Sequence, residues 1–297
     1  MPRKTLLLLI AMNILWAGTY SATKVLMGKA PFFVITTLRY ACAALPLLFI
    51  ASRQGGLRMS LRDFALCAVM GVATFSACPW LMYAGVDLSR ASDAAILTST
   101  EPLLASLGAW IFLREHLDRR VTIGLVLAFG GAAVLSEFWR GEGAVNPVGT
   151  ALILGGVCFE AFYSVIGKSL LRREGPLKIT AVALLAACVV NLSVVGARGQ
   201  WVYARALGAA DWLLLAGYLA LVCTVVGYTF WFVALRQGAV ANVAVTIFVQ
   251  PVAGILVAWA WVHETPTATQ IAGAALILVA VAVSVTAHRA PDPVISG

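Results

Sequence analysis

The chain has 297 residues, 61% of them hydrophobic and 11% charged, with a mean hydropathy of +0.93; so apolar a sequence excludes an ordinary soluble domain. Its net charge of +8 sits in short connections between apolar stretches, which excludes a folded basic face for nucleic acid. The six cysteines fall inside apolar segments without a CxxC pair or nearby histidine cluster, so no metal, cofactor or disulfide framework is expected and the cysteines read as packing residues.

A hydrocarbon core of about 30 Å needs roughly 20 apolar residues per helical span. Stretches of that kind predict an all-helical membrane protein with spans over 5–27, 33–51, 63–86, 91–113, 120–137, 147–168, 177–196, 211–235, 240–262 and 268–287. The first stretch is too long for a signal peptide and leads through a polar segment into the next, so it reads as a retained helix. The connections leave no room for a soluble kinase or nucleotide-hydrolysing domain.

With ten spans both ends of the chain lie on one side. The loops on that side carry most of the Lys and Arg, among them Arg53, Arg58, Arg62, Arg114, Arg119, Arg120, Lys168, Arg172, Arg173 and Lys178, against Lys29, Arg90, Arg140, Arg198 and Arg205 opposite. The positive-inside bias predicts a multi-pass protein of the bacterial inner membrane with both termini cytoplasmic.

An internal repeat organises the spans. One offset of 149 residues, without a gap, pairs Ala95 with Ala244, Pro102 with Pro251, Trp110 with Trp259, Glu115 with Glu264, Gly124 with Gly273 and Leu127 with Leu276. A second offset of 143 pairs Tyr20-Ser21 with Tyr163-Ser164. The predicted units are residues 1–140 and 141–297, five spans each. An odd number of spans forces the second copy to cross the bilayer in the opposite sense, which is the architecture of alternating-access carriers.

The passage Asn13-Ile14-Leu15-Trp16-Ala17-Gly18-Thr19-Tyr20-Ser21-Ala22-Thr23-Lys24 and the twin passages Leu113-Arg114-Glu115 before Ile123-Gly124 and Val262-His263-Glu264 before Ile271-Ala272-Gly273 resemble the EamA family of the drug/metabolite transporter superfamily. Within it the chain is most similar to bacterial exporters of aromatic amino acids. The resemblance implies ten inner-membrane helices, with helices 1, 3, 4, 6, 8 and 9 around a cavity. The second copy departs from the pattern at Phe159-Glu160-Ala161-Phe162-Tyr163.

Ionisable residues inside spans need a reason, because a charge at the bilayer centre costs several kcal/mol. Glu101 and Glu160 fall near the midplane and are candidates to bind a proton or a substrate ammonium; buried pairing that fixes helix packing is the competing role. Lys24 and Arg39, nearer the outer ends of helices 1 and 2, read as gate residues or carboxylate attractors, with Lys24 also able to snorkel outward. Pro79, Pro102 and Pro251 are candidate hinges. Glu101-Pro102 and Gln250-Pro251 place a missing backbone donor at equivalent points of the two copies. Glu115 and Glu264 sit at span ends, as gate ion pairs or helix caps.

Aromatic pairs at helical spacing, Trp16 with Tyr20, Trp80 with Tyr83, Phe159 with Tyr163 and Tyr228 with Trp231, would wall a cavity for an amphipathic ligand, or anchor the helices in lipid. Ser99, Thr246 and Gln250 would add ligand hydrogen bonds, or join helices. The reading is a secondary transporter, not an enzyme, that exports small metabolites: hydrophobic or aromatic amino acids first, cationic drugs as the alternative. His116, His263 and His288 all lie at span ends, away from any midplane chemistry, and no filter of a channel is visible. The expected partners are a small-molecule substrate and the lipid bilayer, the chain acting as a monomer or weak dimer. Both proton coupling and facilitated diffusion stay open.

Overall fold

The computed structural model describes residues 2–53, 56–88, 97–137, 139, 146–257 and 267–286. All regular structure among them is helical. Helix α1 comes in two pieces, Arg3–Ala17 and Thr19–Met27; α2 is Phe32–Arg53, α3 Leu61–Asp87, α4 Glu101–Leu113 and α5 Arg119–Leu135. The second set is α6 Pro147–Leu170, α7 Pro176–Ala197, α8 Ala209–Gln237, α9 in the pieces Val240–Ala244, Val245–Phe248 and Val249–Val257, and α10 Ala268–Thr286. Each corresponds to one predicted span, and α2, α3, α6, α7 and α8 are each long and apolar enough to cross a bilayer. Span residues 91–96, 258–262 and 287 lie outside the described set.

Local chemistry sets the helix starts. Ser60 Oγ accepts the Asp63 amide at the start of α3, and Asp118 Oδ1 accepts the Arg120 amide at that of α5. Asn146 Oδ1 takes two amides, Val148 and Gly149, ahead of Pro147 in α6. These side chains satisfy donors that the first helical turn leaves free. Arg114, in the left-handed region at φ 55°, stops α4.

The two copies are related by exchange symmetry, visible where α5 crosses α10. A methyl group on Gly124 would strike Ala280 O and Ser284 Oγ, and one on Gly273 would strike Gly131 O and the Leu135 amide. The offset of 149 carries Gly124 onto Gly273, Gly131 onto Ala280 and Leu135 onto Ser284. Residue i of one copy therefore packs on j of the other while the equivalent of i packs on the equivalent of j, which is the signature of a two-fold axis. The inversion shows in the ends of the first helices. Thr5 at the start of α1 bonds Gln237 at the end of α8, and Lys168 at the end of α6 bonds the carbonyl of Gly238 beside it. The beginning of α1 and the end of its counterpart α6 thus share one face of the bundle.

Besides α9, with its 3-10 stretch Val245–Phe248, three of the described helices are irregular. The α1 ladder breaks at Gly18, where the Tyr218 hydroxyl of α8 donates to Leu15 O and fills the space of a side chain. Helix α3 widens into a π-helical stretch at Ala73–Ala77, and α8 does so over Leu213–Val226. The same offset of 149 superposes the ends of the two stretches, Ala77 and Val226. A π-stretch leaves carbonyls without their usual donors; here Asn191 donates to Phe75 O and Trp16 to Cys223 O, at 3.0 and 2.7 Å. Sequence periodicity carries no mark of either stretch, because each adds a residue per turn without altering composition.

Candidate functional site

Between the copies lies a cavity of about 230 Å³. Its walls come from α1 (Trp16, Thr19), α2 (Arg39, Tyr40), α3 (Thr74, Cys78, Pro79, Met82, Tyr83, Val86), the approach to α4 and its first residue (Thr98, Glu101), α6 (Val157, Glu160, Tyr163, Ser164), α8 (Tyr228, Trp231) and α9 (Ile247, Gln250). Helix α2 is a wall that the sequence reading omitted, and with it Arg39, expected near an outer end as a gate or a carboxylate attractor, faces the cavity.

The two acids differ in their surroundings. Glu160 Oε1 accepts the Tyr228 hydroxyl at 3.0 Å and Oε2 the Cys78 thiol at 3.4 Å. Glu101 has no hydrogen-bond or ion-pair partner among the described residues, although it lines the same space. Arg39 Nε donates to Thr224 Oγ1 at 3.0 Å, and its guanidinium carbon lies 5.3 Å from the centre of the Tyr40 ring.

The rings form a connected cage. Trp16 lies 5.5 Å from Tyr228 and 5.8 Å from Trp231, Phe75 meets Tyr163 and Tyr228 edge-on, and Tyr163 stacks on Phe232 at 4.7 Å. Such tilted and edge contacts suit the quadrupoles of aromatic faces. Trp231 Nε1 donates to Ser164 Oγ at 3.0 Å, which pins the indole to α6.

Helix irregularity places the polar groups. The chain turns at 99–100 immediately before Glu101-Pro102, and the 3-10 stretch Val245–Phe248 precedes Val249-Gln250-Pro251. A proline cannot donate to the preceding turn, so both helices open at equivalent points. Asn13, fully buried, bridges the second opening: its amide nitrogen donates to Thr246 Oγ1 and its oxygen accepts from Gln250 Nε2 at 2.9 Å.

Several sequence candidates lie elsewhere. Trp80 packs on Phe33 at 5.5 Å instead of facing the cavity, so its pair with Tyr83 is split. Phe159 and Ser99 are absent from the wall, and Thr246 is buried in the α1–α9 contact. Pro102 and Pro251 shape the wall without lining it. Glu115 ends at the basic-rich face: it pairs with Lys168 at 3.0 Å and accepts the Val240 amide at 2.8 Å. Lys168 also donates to Gly238 O, so α4, α6 and the α8–α9 turn are clasped together at that face. The side chains of Tyr20 and Lys24, and all of Glu264, His263 and His288, lie outside the described residues.

Sequence reasoning missed Tyr40, Met82, Asn13 and the role of Cys78. The cysteine was expected to be a packing residue; the structure places its thiol on Glu160. Asn13 carried a signal in being an amide inside an apolar span.

Two inverted helical copies enclosing a partly charged cavity define a membrane transporter. The family of EamA-like transporters matches at residues 3–137 and again at 147–286, once per copy, and the chain belongs to it. It is 25% identical over 268 residues to a Streptantibioticus cattleyicolor protein named "Probable terminal-alkyne amino-acid exporter", covering 90% of this chain and 89% of that one. It is also 25% identical over 282 residues to a Salmonella typhimurium "Probable amino-acid metabolite efflux pump", covering 93% of each. A solved crystal structure shares the fold with a TM-score of 0.80 at 19% identity, over 96% of this chain and 98% of that one.

Proposed function

We propose that the chain exports amino acids, hydrophobic and aromatic ones foremost, across the bacterial inner membrane, with both termini cytoplasmic. The units 1–140 and 141–297 would rock about the cavity in alternating access. The observation that carries this reading is the carboxyl group of Glu101, without a hydrogen-bond or ion-pair partner among the described residues, in a cavity walled by the rings of Trp16, Tyr40, Tyr83, Tyr163, Tyr228 and Trp231. An uncompensated charge within the bilayer is costly unless a ligand ammonium or a proton completes it, and the rings offer stacking and cation attraction beside it. The names of the two bacterial relatives point the same way.

Size also favours a small solute. Pockets for drug-sized ligands run about 300–1,000 Å³, above the 230 Å³ found here. Export of cationic compounds is the second reading, favoured by two acids against one guanidinium in the wall. Uptake of labelled phenylalanine and of a labelled organic cation into proteoliposomes, with Glu101→Gln and Glu160→Gln beside the unmodified protein, separates the two. Saturable phenylalanine flux lost in Glu101→Gln supports the first reading. Flux of the cation alone replaces it with the second, and unaltered flux in Glu101→Gln removes the acid from either. Equal flux with and without a pH gradient would indicate facilitated diffusion.

A further inference from the structure

Arg39 is the one cation among the described lining residues. Its Nε is engaged by Thr224 Oγ1, yet the two terminal nitrogens of the guanidinium have no hydrogen-bond or ion-pair partner among the described residues. Glu160 forms no hydrogen bond or ion pair with it; its two oxygens accept the Tyr228 hydroxyl and the Cys78 thiol. The planar fork of a guanidinium fits the two oxygens of a carboxylate, and within a bilayer such a fork is expensive to leave empty.

The fork is aimed by its neighbour. Thr224 has one hydroxyl proton, and it goes to Leu219 O, five residues back, at 2.8 Å. That spacing belongs to the π-helical stretch Leu213–Val226, in which the widened turn brings carbonyl i−5 within reach of the side chain. With its proton committed, the hydroxyl meets Arg39 as an acceptor, holding Nε and leaving the terminal nitrogens for the cavity. Among the described residues the wall therefore carries an unpartnered carboxyl group on α4 and an unpartnered fork on α2, with rings around both.

We propose that Arg39 is the carboxylate anchor of the site and Thr224, on its π-stretch, the residue that positions it, so that the protein selects α-amino acids over the amines that lack the carboxylate. A zwitterion answers both Glu101 and Arg39. A simple organic anion would face two acids, and a simple amine would leave the fork empty. The proposal rests on the reading of this cavity as the transport site and narrows its substrate class.

The test compares binding of phenylalanine and phenethylamine to the purified full chain in lipid nanodiscs. The unmodified protein is expected to bind phenylalanine at least about tenfold more tightly, the scale of a charge-assisted bidentate contact. Arg39→Met should remove that preference by weakening phenylalanine alone. Thr224→Val should weaken phenylalanine about threefold, and Thr224→Ser should restore it, a rescue that a merely structural role in packing would not give. Equal affinity of the unmodified protein for the two ligands overturns the proposal while leaving the cavity as an amine site, and this comparison needs no variant to fold. Equal weakening of both ligands in Arg39→Met also overturns it. Binding of neither ligand overturns the reading beneath it.

Discussion

Tyr228 of α8 donates its hydroxyl to Glu160 of α6 across 3.0 Å, so the acid of one helix is held by the ring of another inside the second copy. The Cys78 thiol reaches the other carboxylate oxygen from α3 of the first copy. Glu160 therefore joins the copies, whereas Glu101 has no such partner among the described residues and lines the cavity. The two acids, both candidates in the sequence with Glu101 favoured for its place before Pro102, have different surroundings.

That difference is measurable as stability. Glu160→Ala leaves the Tyr228 hydroxyl and the Cys78 thiol without acceptors, and a stranded buried polar group costs about 1–3 kcal/mol. Thermal unfolding in detergent should fall by several degrees for Glu160→Ala and stay unchanged for Glu101→Gln. Equal losses in the two variants would contradict the division of roles.

The clasp at the basic-rich face leads to a second prediction. Glu115 bonds Lys168 and the Val240 amide at once, and Lys168 also holds Gly238 O. The lining residues reach Val86, one residue short of the end of α3 at Asp87, at the opposite face, so loss of the clasp is expected to open the basic-rich face. Glu115→Gln should shift the population about tenfold towards the state open at the basic-rich face, roughly 1.4 kcal/mol. Spin labels at the ends of α4 and α8 should report a longer distance. An unchanged distance distribution would show that the clasp only caps helices.

Symmetry predicts matched damage. Gly124→Val and Gly273→Val would each force a side chain into the α5–α10 crossing, the first against Ala280 and Ser284, the second against Gly131 and Leu135. Overpacking of this kind costs about 1–3 kcal/mol. Both variants should lower the unfolding temperature by similar amounts. A large loss in one and none in the other would break the two-fold relationship.

Much of this fold was legible in the sequence because it follows from arithmetic on simple quantities. Span lengths answer to the thickness of hydrocarbon, and an unbroken offset of 149 relates Pro102 to Pro251 and Gly124 to Gly273. The prolines also announced where α4 and α9 open, since the lost donor is a local property. The walls were harder. Whether Trp80 or Tyr83 faces the cavity depends on the rotation of α3, and the π-stretch at Ala73–Ala77 changes that rotation without leaving a pattern in composition. The same holds for α8, where the stretch sets Thr224 beside Arg39. Arg39 was visible as a charge in a span, but its place on a cavity wall depended on the packing of α2 against α8. Cys78 and Asn13 acquire their roles from partners distant in the chain, Glu160 and Gln250, which spacing cannot supply.

The most direct measurement of alternating access uses the native thiol of Cys78, with the other cysteines replaced. A small membrane-impermeant thiol reagent is applied to right-side-out and to inverted vesicles, with and without phenylalanine. The account predicts reaction from both faces, slowed by phenylalanine in each, because one cavity opens to either side in turn. Reaction from a single face under every condition, or indifference to phenylalanine from both, would contradict it.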